Sequence, residues 1–316
     1  MDQDKPLPRR LDATPQDLDR ARETAHAIAA KITGCDPGTM VTAASMSHYV
    51  YIGRDVVVKL VDAGGHTRLD REIALAPHLP TGLGAPLIAD GREPLGTCAV
   101  RYACFTRVAG TCPGIGLPDV DAATAGRWAE QAVQRLHELH TWKPVDEPAD
   151  TLRGSPVHEG FVSRDALTAE LDRLAATNLS RHLLTGLRAI AADAPPHARY
   201  DVPVHADCDW DNWLADDETV TLLDFERARY GEPADDWTLL AVTSGPHLHL
   251  ALDAIANTTA TDRAELRAAC ELRDAAFIAE DLRKALDQPE TPAWLPERIH
   301  DLEGLIDGRR WWRRPR

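Results

Sequence analysis

The chain has 316 residues, 44% of them hydrophobic, enough to fill the cores of two medium domains or one domain of two lobes. Its 35 basic residues face 50 acidic ones, a formal net charge of −15, which argues against a nucleic-acid partner and mildly favours a cationic substrate. MDQDKPLPRR at the N-terminus carries no apolar run, and no later stretch reaches the ~20 apolar residues of a membrane span, so a soluble, cytoplasmic protein with no membrane partner is expected. The six cysteines Cys35, Cys98, Cys104, Cys112, Cys208 and Cys270 form no C-x-x-C pair and read as free thiols.

Residues 1–13 are polar and are expected to fray. Thr14-Pro15, with Asp17 behind them, has the residue types of a helix N-terminus, and Gly34 supplies a left-handed stop. Between them Leu18, Ala21, Ala25, Ile28 and Ile32 fall on one face, so the spacing predicts an amphipathic helix. From Met40 to Val61 the period shortens to two β-type runs separated by a turn at Gly53-Arg54-Asp55. Thr67 is the expected cap of a helix through Leu79, with Leu69, Ile73 and Ala76 inward and Glu72 at the edge of the buried stripe. Strands are expected at 84–90 and 97–106, which makes the first third a small antiparallel sheet with a crossing helix.

Past the linker-like Gly110-Thr111-Cys112-Pro113-Gly114 the pattern turns helical, at 123–141 and twice within 164–193. The β signal returns once, at 202–224, and 237–306 reads as three or four helices before the basic tail Arg309 to Arg316, whose tryptophans are expected to pack on the helical part. The fold class is therefore α+β, with residues 1–108 as a sheet-bearing first lobe and 109–316 as a mostly helical second lobe.

The densest chemistry lies in His205-Ala206-Asp207-Cys208-Asp209-Trp210-Asp211-Asn212, followed by Leu223-Asp224-Phe225-Glu226. Two short strands around Asp216-Asp217-Glu218 form a hairpin, whose antiparallel pairing puts Asn212 and Asp224 at its open end with Asp207 in the loop before it. An acid to receive a hydroxyl proton, with an amide and a carboxylate to hold magnesium, is what phosphoryl transfer from a magnesium-bound triphosphate asks of a protein. Lys59 adds to this, because the chain has only five lysines and this one sits in an apolar strand.

H-x-D-x-x-x-x-N, the D-F-E triplet and Gly231-Glu232-Pro233-Ala234-Asp235-Asp236 together resemble the aminoglycoside phosphotransferase and choline kinase family, over roughly residues 40–240. The resemblance implies a bilobal protein-kinase-like fold, ATP and Mg2+ as cofactors, Asp207 as catalytic base, and Asn212 and Asp224 as metal ligands. It further implies that Lys59 and Glu72 form the ion pair that orients the α- and β-phosphates. By the same resemblance Ser47 falls in the nucleotide-covering loop Ala43–His48, which here lacks glycine, and Thr106 and Val108 fall in a segment, Thr106-Arg107-Val108-Ala109-Gly110, that resembles the hinge whose backbone binds adenine. Leu136-His137-Glu138-Leu139-His140 resembles the helix end that precedes the catalytic segment. Glu226 stands where protein kinases have glycine, so activation-loop flipping is not expected. His205 and Asp236 are read as structural supports of the catalytic loop, and Asp209 and Asp211 either contact a cationic acceptor or cap that loop. The expected acceptor is a hydroxyl of a small molecule, an aminoglycoside-like antibiotic or other cationic metabolite. The alternatives are a Ser or Thr of a precursor peptide, phosphorylated for a separate lyase and engaged through 142–200 and the tail, or a kinase-like binding module without catalysis.

Overall fold

The structure is a computed structural model and describes residues 5–154, 164–192, 201–288 and 290–308; the tail from Arg309 to Arg316, and the expectation placed on it, lie outside them. Two compact units emerge, one made of Met1–Thr111, Pro144–Thr151 and Leu214–Ala228, the other of Cys112–Lys143, Leu152–Trp213 and Arg229–Arg316.

In the first unit α1 (Pro15–Thr33) starts with the reciprocal cap that Thr14 and Asp17 allow, each side chain taking the other's amide, and stops at Gly34 with φ 70°. Its Ala21, Ala25, Ile28 and Ala29 are buried against the sheet. Among the described residues the segment before α1 is not frayed. Arg10–Asp12 form a 3-10 turn and Leu7, only 4% exposed, enters the same core, so one apolar side chain overrides the polar average.

The sheet comprises β1 (Val41–Thr42), β2 (Tyr49–Ile52), β3 (Val56–Asp62), β4 (Leu87–Leu95) and β5 (Cys98–Thr106), in the order β1-β2-β3-β5-β4 with every pair antiparallel. Alternation along β3 and β5 separates two cores. Val56, Val58, Leu60, Val100, Tyr102 and Cys104 meet α1 on one face, while Val61, Ala103 and Phe105 meet Leu69 and Ile73 of α2 (Arg68–Leu75) on the other. Lys59, odd-numbered like Val61, falls on the α2 face. The α-helix ends earlier than the sequence suggests, because Pro77 has no amide to continue it, and Ala76–His78 tighten into a 3-10 turn. Thr67 makes no side-chain capping bond, and Glu72 is not at an edge but 5% exposed.

Beyond the linker follow α3 (Ala122–Thr141), α4 (Asp146–Arg153), α5 (Arg164–Ala175), α6 (Arg181–Ala192), β6 (Val202–Val204), β7 (Trp213–Ala215), β8 (Val220–Leu222), β9 (Arg229–Gly231), α7 (Pro233–Thr243), α8 (Leu248–Thr259), α9 (Arg263–Leu286) and α10 (Leu295–Ile306). The second unit is mostly helical. Its α3 starts on Asp121, which accepts the amides of Ala123 and Thr124, and buries a stripe of small residues, Ala125, Ala129 and Ala132, that lets α8 pack close. The strand β9 was not expected; it pairs antiparallel with β6, Val204 opposite Arg229. The hairpin β7–β8 is as expected, its turn closed by the Asp216 carboxylate accepting the amides of Glu218 and Thr219.

Within the first unit the hairpin is tied to the linker by paired bonds between Thr111 and Ala215, each N–H to O distance 2.9 Å. Gly110 sits there at φ 110°, where a Cβ would meet the Ala215 backbone at 2.9 Å. Neither the angle nor the space admits a side chain. Gly110→Ala should therefore cost on the order of 2 kcal/mol, read as a lower urea midpoint, and an unchanged midpoint would contradict this packing.

Candidate active site

The centre of the first unit's site is the Lys59 ammonium. It donates to both Glu72 oxygens, at 2.8 and 2.7 Å, and to Asp224 Oδ1 at 2.9 Å. Strand β3 supplies the lysine, α2 the glutamate and the segment after β8 the aspartate, so three separate elements converge on one charge. Burial opposes that charge, but Asp224 and then Glu72 outweigh it and hold the ammonium pKa above its ordinary value. Glu72 is pushed up by burial, and Asp224 adds to this against the pull of Lys59. Two acids thus share one cation.

Asp224 stands in the left-handed region at φ 65° and begins the 3-10 turn Phe225–Arg227. Phe225 is buried, which anchors this turn. Beside Asp224, His48 and Glu226 bring ligand atoms that lie within 4.8 Å of one another and of the Asp224 carboxylate. Burial, followed by the Lys59 charge, pushes the His48 imidazole down to about 3, so that ring is neutral at physiological pH. Ser47, the loop residue singled out in the sequence, sends its hydroxyl to Glu226 Oε2 at 3.4 Å. At the expected hinge the Thr106 amide donates to Pro86 O and the Arg107 amide to Asp55 O.

The second unit holds the segment from His205 to Asn212. Asp236 Oδ2 accepts the His205 amide at 2.9 Å and its Oδ1 the Ala206 amide at 2.7 Å, while His140 Nε2 lies 2.8 Å from Oδ2. Asp236 is fully buried, and although burial opposes its charge, the His140 hydrogen bond keeps its pKa below the ordinary carboxylate value. Those contacts hold Ala206 at φ 63°, the conformation that aims the next residue, Asp207. Downstream, the buried indoles fix the loop: Trp213 Nε1 donates to Cys208 O at 3.0 Å and Trp210 Nε1 to Ser244 Oγ at 2.9 Å. Asn212 Nδ2 donates to Asp207 O at 2.6 Å, which turns the amide oxygen, the end that can bind a cation, away from that carbonyl.

Sequence reasoning named Asp207, Asn212, His205 and Asp236 in this unit but missed His140, Trp210 and Trp213 as its fasteners. A tryptophan on each side of Asp211-Asn212 was the available signal. Asp209 and Asp211, read as either acceptor contacts or loop caps, both accept backbone amides: Asp209 Oδ1 takes the Asp211 amide at 3.0 Å and Asp211 Oδ1 the Ile115 amide at 3.2 Å. Cys208 is buried with its thiol pKa held well above the ordinary value by burial and by nearby acids, so it is no nucleophile.

Burial, reinforced by Asp207, pushes Asp209 up from 3.8 to about 6. A carboxyl whose folded pKa is raised contributes its full stability below the unfolded pKa and loses it as pH rises through the folded one. Asp209→Asn keeps an acceptor for the Asp211 amide but removes the buried charge. It should raise the melting temperature above pH 6, by an amount worth about 1 to 2 kcal/mol, with the gain fading towards pH 4. A pH-independent change in melting temperature would contradict the assignment.

No curated protein sequence matches this chain significantly. Among solved structures it is similar to the GDP complex of wild-type aminoglycoside 2'-phosphotransferase-IIIa, with TM-score 0.68 and 19% identity over 92% of this chain and 99% of that one. A choline/ethanolamine kinase family protein from Mesorhizobium loti gives 0.63 and 16% over 94% and 97%. Macrolide 2'-phosphotransferase MphH from Brachybacterium faecium gives 0.59 and 21% over 96% and 100%. These likenesses show a shared α+β fold of the protein-kinase-like kind. Residues 47–272, which carry the whole constellation from Ser47 to Asp236, match the phosphotransferase enzyme family (APH), and the chain belongs to that family.

Proposed function

We propose that this protein transfers the γ-phosphate of ATP to a hydroxyl of a small molecule, an aminoglycoside-like antibiotic or another cationic metabolite. The observation that carries the reading is the Lys59 ammonium gripped by Glu72 and Asp224, on three elements of a chain that belongs to a phosphotransferase family. A lysine held this way presents a fixed positive charge to phosphate oxygens. Asp224, which is only partly buried, can offer a carboxylate oxygen to a divalent cation. Asn212 and Asp224 would hold magnesium.

When bound, magnesium–ATP supplies the transferable phosphoryl group and the positive charge that lets phosphates approach acids. Lys59 would orient the α- and β-phosphates, and Glu72 would keep the lysine from swinging away. Ser47 belongs to the loop that covers them, and the hinge at Thr106 and Val108 receives the base. Asp207 would take the proton of the acceptor hydroxyl as its oxygen bonds the γ-phosphorus and the bond to the bridging oxygen breaks to release ADP, and Asp236 with His205 and His140 would hold that carboxylate's loop still. The chain's net charge of −15 and the acids Asp209 and Asp211 beside Asp207 support a cationic acceptor.

Asp207→Asn keeps the size of the side chain but cannot take a proton. It should retain magnesium–ATP binding and lose transfer by roughly two or more orders of magnitude, the usual scale for a positioned base. The assay is mass-spectrometric detection of an added phosphate across aminoglycosides, other amine-bearing metabolites and Ser/Thr peptides. Full transfer in the variant would remove Asp207 from its role, and phosphate appearing only on peptides would replace the small-molecule acceptor with a precursor peptide.

A further inference from the structure

The phosphotransferase reading leaves one buried acid without a task. Glu226 is 4% exposed, two residues beyond Asp224, and its contacts run to two other elements of the first unit. Its carboxylate accepts the Ser47 hydroxyl at 3.4 Å, lies 3.3 Å from His48 Nδ1 and 3.6 Å from Arg68 Nη1. Its backbone carbonyl accepts Arg71 Nη1 at 2.8 Å. Ser47 and His48 close the covering loop; Arg68 and Arg71 stand on α2, the helix that carries Glu72.

The carboxylate contacts are long for hydrogen bonds, so none is strong alone. Their convergence is what counts. An ionised acid withdrawn from water costs several kcal/mol unless its partners compensate, whereas a glutamine of the same shape would avoid that cost. The charge is kept where it can face Arg68 and the loop at once. The contacts also close a ring: Asp224 binds Lys59, Lys59 binds Glu72, and the residue before Glu72 binds the carbonyl of Glu226, back beside Asp224. Movement of the covering loop is thereby coupled to the lysine that faces the phosphates.

We propose that Glu226 is a positioning residue, which clasps the covering loop Ala43–His48 to α2 and to the Asp224 turn and so sets the affinity for nucleotide. This rests on the phosphotransferase reading of the site. It assigns Glu226 no contact with the reacting atoms. The competing role for the same carboxylate is direct cation ligation, since its oxygen belongs to the His48, Asp224, Glu226 cluster.

The test uses the full chain with Glu226→Gln, which keeps volume and one acceptor but removes the charge, and Arg71→Met, which cuts the tether from the helix side without touching the loop. Amide hydrogen exchange of the nucleotide-free protein should quicken about tenfold at residues 45–48 in both variants. The KM for ATP should rise about fivefold or more in Glu226→Gln while kcat stays within about twofold. Unchanged loop exchange would overturn the clasp, as would a fall in kcat at constant KM. Loss of Mn2+ binding, read by electron paramagnetic resonance without nucleotide, would overturn it in favour of a metal ligand. A wild-type chain that transfers no phosphate would defeat the phosphotransferase reading instead, and loop exchange, measured without nucleotide, would still decide the clasp.

Discussion

The structure is organised around the burial of one ammonium. Lys59 is 9% exposed, and a lone charge so placed costs several kcal/mol even after the protein relaxes. Glu72 and Asp224 offset that cost, and each must come from elsewhere in the chain, 13 and 165 residues away. Strand β3 therefore cannot be built without α2 lying across it, nor without the segment after β8 reaching it. Alternation along β3 decides which face is involved, because a slip of one residue would turn Lys59 into the apolar core shared with α1. The arrangement also places two carboxylates on one ammonium, and under the function proposed above a divalent cation beside Asp224 would balance them once phosphates are bound.

A second constraint acts in the other unit, where the segment before Asp207 is held in a conformation that non-glycine residues avoid. Ala206 at φ 63° costs on the order of 1 kcal/mol. Asp236 meets that cost by taking two successive amides, His205 and Ala206, on its two oxygens, with His140 behind it. Its neighbour Asp235 faces the opposite way, into a buried pair with Arg229 at 3.0 Å and Arg273 at 3.1 Å. Adjacent acids at the start of α7 thus serve two purposes, one bracing the loop and the other joining β9 to α9. Asp224 repeats the same backbone device in the first unit, at φ 65°. Strain at both acids' segments is consistent with side chains aimed for chemistry and held by their surroundings.

Much of this was legible in the sequence where the signal is local. Thr14-Pro15 and Gly34 bracket α1 because capping depends on residues within one turn. The hairpin around Asp216 was readable for the same reason, and Lys59 stood out because an apolar strand gives a lysine no other use. Where the decisive contacts are distant, the sequence was silent. Leu7 is buried by α1 and the sheet, not by its polar neighbours, and β9 is three residues, Arg229-Tyr230-Gly231, that become a strand only beside β6. Glu72 read as lying at the edge of the buried stripe because its burial depends on Lys59. Glu226 gave no hint of its partners, since Ser47 lies 179 residues away and Arg71 155. His140, at the end of α3, is likewise meaningful only once Asp236, 96 residues later, is placed against it.

Under the proposed function Asp224 is shared between Lys59 and a nucleotide-bound cation, which would make binding of metal and nucleotide inseparable. Calorimetric titration of ATP into the wild type and Asp224→Ala, each with and without magnesium, tests it most directly. The account predicts magnesium-dependent binding in the wild type and a loss of at least about tenfold in affinity in the variant, since triphosphate charge beside a carboxylate is repulsive unless a cation bridges them. Equal affinity in the two proteins, or binding indifferent to magnesium, would contradict it and leave Asp224 as a partner of Lys59 alone.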